Sequence, residues 1–207
     1  MQPASPSLLT SRPANLAASL LLASLWSVFA LGHISAWQRS ADWTYLVFVA
    51  AESLGALLFL LRTTPVAVSS HAGDWLAGMG GTFGVFLFAP TEWGLLPQAR
   101  LLVVAGCLLQ IAGLLSLNRS FGLVAARRSI KTGGMYRLVR HPLYASYLLG
   151  FTGYALANSS WRNLAVACGV MLLLVLRLLR EEHLLRQDAG YRAYMRQVPY
   201  RLLPLIF

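Results

Sequence analysis

Six apolar stretches dominate this sequence, at residues 15–34, 45–61, 75–89, 101–117, 142–157 and 163–179. A helix needs about 20 apolar residues to cross the hydrocarbon core of a bilayer, and each stretch comes close to that. A soluble domain of 207 residues has no core large enough to hide all six. The charge content agrees. Asp, Glu, Lys and Arg make up 12% of the chain, against about 25% in soluble domains. These features exclude a soluble cytosolic enzyme, an extracellular disulfide scaffold and a disordered protein. The expected fold is all-α: a polytopic integral membrane helix bundle of about six transmembrane helices. A five-span version, with the weak third stretch re-entrant and the N-terminus outside, is the alternative. The third and fifth stretches are short, which is tolerated where the bilayer thins or a helix ends at a protein-lined site.

The basic residues orient the bundle. The net charge is +10, from 17 Lys+Arg against 7 Asp+Glu. Because these residues flank the apolar stretches, anionic lipid headgroups explain them better than nucleic acid. With both termini cytoplasmic, fourteen of the seventeen basic residues fall on the cytoplasmic side, leaving Arg39, Arg100 and Arg162 outside. Trp37, Trp43, Trp93 and Trp161 then gather at the outer interface, as aromatic belts do. The expected location is a cell inner membrane. Cys107 and Cys168 lie inside apolar stretches and are expected to be buried thiols.

The chain reads as one membrane domain with two parts. Residues 1–117 form a four-span scaffold with few polar groups, and residues 118–207 hold most of the charge and the dense motifs. The densest motif runs from Lys131 to Tyr144. Gly133 and Gly134 predict a tight turn. Pro142 suits the first turn of the fifth span, which places His141 near the N-cap. A helix start beside Arg140 and His141 suits a carboxylate or phosphate; a basic loop gripping lipid headgroups explains the same residues equally well. Tyr144, Tyr147, Phe151 and Tyr154 share one face of the fifth span. Helix packing is the first reading of that stripe and a pocket wall for a cation the second. Gly150, Gly153 and Ala157 thin the helix for close packing.

The sixth span ends in Arg177-Leu-Leu-Arg180-Glu181-Glu182-His183. Glu182 precedes Arg186 by four residues, which predicts a local structural pair worth about 0.3–0.5 kcal/mol and a mild effect when broken. Glu181 lacks that pairing and is more available to a ligand. The tail, with Tyr191-Arg-Ala-Tyr194 and Val198-Pro199 followed by the apolar run 202–207, reads as a short amphipathic helix and then an apolar anchor in the interface. Glu52 and His33 are polar outliers of the first half. Glu52 is an intramembrane acid open to a functional or a structural reading, and His33 reads as structural.

Three elements occur in order: Gly-Met-Tyr136-x3-Arg140-His141-Pro142-x-Tyr144, then an apolar hairpin, then Arg-x3-Glu181-Glu182 with Tyr191-x2-Tyr194 and Val198-Pro199. Over residues 118–207 this pattern resembles the isoprenylcysteine carboxyl methyltransferase family and its phospholipid-methyltransferase relatives. The resemblance implies a membrane methyltransferase with an S-adenosyl-L-methionine site at the cytoplasmic face. It implies that Lys131, Tyr136, His141, Pro142 and Tyr144 surround the cofactor, with Glu181 opposite and Arg177 facing the methyl acceptor. Arg140 and Glu182, neighbours of these residues in the motifs, join the candidate cofactor set; Arg177 and Glu181 are the candidate catalytic pair. The residue types suit that chemistry. A cofactor carboxylate suits His141 and the helix start, its ammonium and ribose hydroxyls suit Glu181, and aromatic walls tolerate a sulfonium.

The expected partners are a lipophilic or lipid acceptor and membrane lipids, without nucleic acid and without an obligatory protein partner. No metal spacing is present in the sequence. Two further functions compete with methyl transfer: a nicotinamide-dependent enzyme like the sterol reductases, and a non-catalytic lipid-binding protein.

Overall fold

The computed structural model describes residues 12–41, 43–61, 67–68, 71–89, 91, 93–120, 126–127 and 130–206. The side chain of Glu52, together with Arg62, residues 121–125, Arg128 and Phe207, lies outside the described residues. Seven α-helices follow one another within them: α1 (Arg12–Ser40), α2 (Thr44–Leu61), α3 (Ala72–Phe83), α4 (Arg100–Leu117), α5 (Pro142–Ala157), α6 (Trp161–Leu185) and α7 (Ala189–Gln197). All six apolar stretches are helical, because a helix satisfies its own backbone hydrogen bonds where water is scarce. Among the described residues, three helices are long and apolar enough to cross a membrane: Pro13–Arg39, Pro97–Leu117 and Trp161–Leu185. The third stretch is the shortest helix of the six; dense in glycine, a poor helix former, it gives way to a 3-10 turn at Gly84–Leu87.

Local sequence sets the helix boundaries. Pro142 occupies the first turn of α5, where its missing N–H costs nothing. Ser160 caps α6 by accepting from the Asn163 N–H at 3.1 Å. Asp188 caps α7 by accepting from the N–H groups of Gly190 and Tyr191 at 2.7 and 3.3 Å.

The helices pack in antiparallel pairs. In α1 and α2, Trp26 lies against Gly55 and His33 stacks on Phe48 at 4.7 Å. Small residues bring α4 and α5 together most closely. A Cβ added at Gly106 stands 2.9 Å from the Gly150 Cα, and one at Gly153 stands 2.8 Å from the Ala99 carbonyl. This is the close packing expected of Gly150 and Gly153. Along α3 and α6, Gly80 and Gly81 lie against Leu173 and Leu174.

These pairings sort the connections onto two ends of the bundle. At one end the 88–99 connection lies on the turn between α5 and α6. Asn163, fully buried, ties them by accepting from the Ala89 N–H at 3.0 Å and donating to the carbonyls of Ala89 and Asn158 at 2.7 and 2.6 Å. Trp93 and Trp161 are exposed there. At the opposite end, Ala67–Val68 forms a short antiparallel bridge with Ala126–Arg127, joining the α2–α3 and α4–α5 connections.

The thiols depart from expectation in part. Cys107 is buried, but Cys168 is exposed on α6. The outer surface of this helix is itself apolar, with Leu164, Leu172, Leu176 and Leu179 exposed beside Cys168. An apolar run in such a bundle therefore does not imply burial inside the protein.

Candidate functional site

The motif residues meet at the bridge end, beginning with the turn before α5. Gly134 has φ +58°, the left-handed region where a side chain is strained, and a Cβ there collides with Ser116 Oγ. Ser116 donates to the Ala112 carbonyl at 2.8 Å and accepts from the Met135 N–H at 3.1 Å. The turn is thereby pinned to the last turn of α4. The following 3-10 turn, Gly134–Arg137, carries Tyr136 into a buried cluster with Tyr191, Tyr194 and Val198. The Tyr194 hydroxyl donates to the Tyr136 carbonyl at 2.6 Å. Burial pushes the Tyr136 phenol well above its ordinary range, and the nearby Glu181 carboxylate pushes in the same direction. Burial also pushes Tyr194 up to about 12.

Glu182 is the hub of the site. It is 1% exposed and meets four cationic or ionisable side chains. Its Oε1 accepts from Arg140 Nε at 2.7 Å and lies 3.2 Å from His141 Nε2. Its Oε2 accepts from Arg201 Nε at 2.9 Å and from Arg186 Nη2 at 3.1 Å. Arg140 also donates through Nη1 to the carbonyls of Val198 and Pro199 at 2.9 and 2.5 Å. The backbone repeats the connection: the N–H groups of Arg140 and His141 donate to the carbonyls of Tyr200 and Arg201 at 2.9 and 2.8 Å. Residues 198–201 thus form a strap over the start of α5. The carboxylate that meets Arg140 and His141 in this structure is the protein's own Glu182. The pairing of Glu182 with Arg186 is as expected, but it is one of four contacts and not the whole of this residue's role. A buried acid shared by three arginines and a histidine is a structural centre, because removing its charge strands buried cations.

One helical position away, Glu181 has a different environment. It is half-buried, and among the described residues its hydrogen-bond partner is the Tyr144 hydroxyl, which donates to Oε2 at 2.6 Å. Arg177, one turn deeper on α6, lies over the Tyr144 ring at 5.5 Å and donates through Nη1 to Thr82 Oγ1 at 3.2 Å. Arg180 forms an ion pair with Asp74 at 2.8 Å. Thr82 and Asp74 were not anticipated from the sequence. The available signal was Asp74 itself, a scarce acid at the start of a glycine-rich helix in a chain whose sixth span ends in arginines.

The structure therefore sorts the candidate residues into groups. Tyr144, Arg177 and Glu181 are in mutual contact through Tyr144, with Thr82 behind them. Arg140, His141 and Glu182 form the buried ion-pair centre, and Pro142 is buried as the first residue of α5. Tyr136 belongs to the tyrosine cluster under α7. Lys131 is half-buried in the approach to the Gly133 turn and makes no hydrogen bond or ion pair with a described residue. In the aromatic stripe, Tyr147 stacks on Phe151 at 6.3 Å, and Phe88 contacts Phe151 and Tyr154 at 5.8 and 4.7 Å. Those three rings pack helices, whereas Tyr144 faces charged groups.

Comparison with known proteins adds one finding. Residues 98–190 match the family model described as phospholipid methyltransferase. The match starts at α4, about one helix before the motif-bearing part begins, and covers every candidate site residue from Lys131 to Glu182. No curated protein matches the chain.

Proposed function

We propose that this protein transfers a methyl group from S-adenosyl-L-methionine to a lipophilic acceptor at the cytoplasmic membrane face, a reading supported by the match of residues 98–190 to the phospholipid-methyltransferase family model. The observation that carries this reading is the contact of Tyr144 with both Glu181 and Arg177. A carboxylate meets the hydroxyl of one aromatic ring and a guanidinium lies over that ring, at the charged end of a long apolar helix.

The residues present fit such a cofactor. Glu181 retains acceptor capacity for an ammonium or ribose hydroxyls. Lys131 is a cation available to a carboxylate. The Tyr144 ring is a wall that a sulfonium tolerates. Bound there, the cofactor supplies an electrophilic methyl on sulfur. The chain's own part is alignment and exclusion of water, since methyl transfer is an in-line displacement that needs no covalent enzyme intermediate. Arg177, buried and one turn deeper, orients the polar head of an acceptor arriving from the bilayer; carboxylate, amine, thiol and phenol acceptors are all compatible. Arg140, His141 and Glu182 support this arrangement by fixing the start of α5 against the end of α6. The reading includes a single membrane domain with six spans and both termini cytoplasmic. The sorting of connections onto two ends supports it, with α2, α3 and α5 crossing beside the three longer helices.

Calorimetric titration of the purified protein with S-adenosylhomocysteine and with NADPH tests the reading. Saturable binding of the first alone is expected. Binding of NADPH alone turns the assignment to a reductase, and binding of neither turns it to a lipid-binding protein.

A further inference from the structure

The corner between α6 and α7 holds an open concavity lined by Arg186, Arg192, Met195 and Arg196. Arg192 and Arg196 lie four residues apart and share one face of α7, while Tyr191 and Tyr194 are buried on the other. Arg192 Nη1 donates to the carbonyls of Arg186 and Gln187 at 2.8 and 3.2 Å, which holds its guanidinium at the corner. Arg186 is held by Glu182. Arg196 makes no hydrogen bond or ion pair with a described residue. Nearby acids do not neutralise this cluster: Glu182 is shared with Arg140, His141 and Arg201, and Asp188 is engaged at the α7 N-cap.

An apolar feature adjoins the arginines. Arg186 and Arg201 bond the same Glu182 oxygen at 3.1 and 2.9 Å, so the chain leaves this corner at Arg201. It continues into Leu203, Leu205 and Ile206, which are 53%, 83% and 79% exposed. Guanidiniums beside exposed aliphatic side chains, at the end of a helix apolar enough to cross a membrane, mark the level where headgroups meet acyl chains.

The geometry points to a binding site for the phosphodiester headgroup of an anionic membrane lipid, held by Arg186, Arg192 and Arg196 with its acyl chains alongside residues 202–206. Guanidinium forks match phosphate oxygens in pairs. A zwitterionic lipid carries the same phosphate, but its ammonium meets a positive corner. This site is separate from the Tyr144–Arg177–Glu181 cluster and does not depend on the methyl-transfer reading.

Native mass spectrometry of the full chain in detergent, titrated with phosphatidylglycerol and with phosphatidylcholine of the same acyl chains, tests the site. Phosphatidylglycerol is expected to bind saturably and about tenfold more tightly than phosphatidylcholine. Arg196→Gln removes a guanidinium that makes no hydrogen bond or ion pair with a described residue, so the fold should hold; it should weaken phosphatidylglycerol about fivefold, and Arg196→Lys should restore most of the loss. Excess inorganic phosphate should leave the lipid bound. Equal affinity for the two lipids, or unchanged phosphatidylglycerol binding in Arg196→Gln, overturns the proposal. Full displacement by inorganic phosphate also overturns it, in favour of a free-anion site.

Discussion

Arg140 and Glu182, separated by 42 residues in sequence, form a buried ion pair at 2.7 Å that joins the start of α5 to the end of α6. The pair has a clear consequence for stability. Glu182→Gln leaves Arg140 and its neighbours without their shared counter-charge, at a cost of about 3–5 kcal/mol. A lowered thermal unfolding midpoint in detergent is the expected result. An unchanged midpoint means that water, and not Glu182, satisfies these cations.

The adjacent acid should behave in the opposite way. Glu181→Gln loses one hydrogen bond at a half-buried site, so folding should change by only about 1 kcal/mol. Binding of S-adenosylhomocysteine should be largely lost. If Glu182→Gln retains stability and loses the ligand while Glu181→Gln does neither, the two roles are exchanged.

Arg177→Ala should separate binding from turnover. On the proposed reading Arg177 meets the acceptor and not the cofactor, so cofactor affinity should stay near the wild-type value. Transfer of an isotopically labelled methyl group to a lipid extract should fall by about a hundredfold, the scale of a misplaced reactant. A parallel loss of affinity assigns Arg177 to the cofactor instead.

The glycine contact between α4 and α5 gives a prediction with its own control. Gly106→Val places side-chain atoms against the Gly150 backbone and should destabilise by about 1–3 kcal/mol. Gly169→Ala adds a methyl where nothing lies within 4 Å and should not destabilise. Thermal unfolding of both variants checks the pair.

The buried phenols make folding sensitive to alkali. Tyr194, raised to about 12, keeps its proton in the folded state at a pH where the unfolded phenol, at about 10, has lost it. The unfolded state then binds fewer protons, so stability is intact below pH about 10 and declines as pH rises toward 12. Phenolate absorbance should show a late-titrating fraction that shrinks in Tyr194→Phe.

Much of this architecture is written in local patterns. Apolar runs between short polar connections predict the helices, Pro142 predicts the start of α5, and Gly134 predicts the turn, because each depends on neighbouring residues alone. The motifs likewise bring Tyr144, Arg177 and Glu181 into view as a group. What the sequence hides is pairing at a distance. Spacing along α6 exposes the link from Glu182 to Arg186, while Arg140, His141 and Arg201 come from other parts of the chain and outweigh it. Thr82 is hidden for the same reason, and within α3 the scarce acid Asp74 is the one local hint of a partner on α6. Cys168 shows a limit of another kind, since hydropathy cannot separate lipid-facing from protein-facing positions on one helix.

The strap over α5 sets an order of events during synthesis. The carbonyl of Val198 that receives Arg140 is made 58 residues after it. A nascent chain therefore has an interval in which α5 has emerged while the arginine at its start still lacks its backbone acceptors. A ribosome that stalls inside that interval leaves α5 made, α6 or α7 incomplete, and the start of α5 without its strap. Such a product differs from the finished protein in the exposure of that helix start, a physical mark of incomplete synthesis.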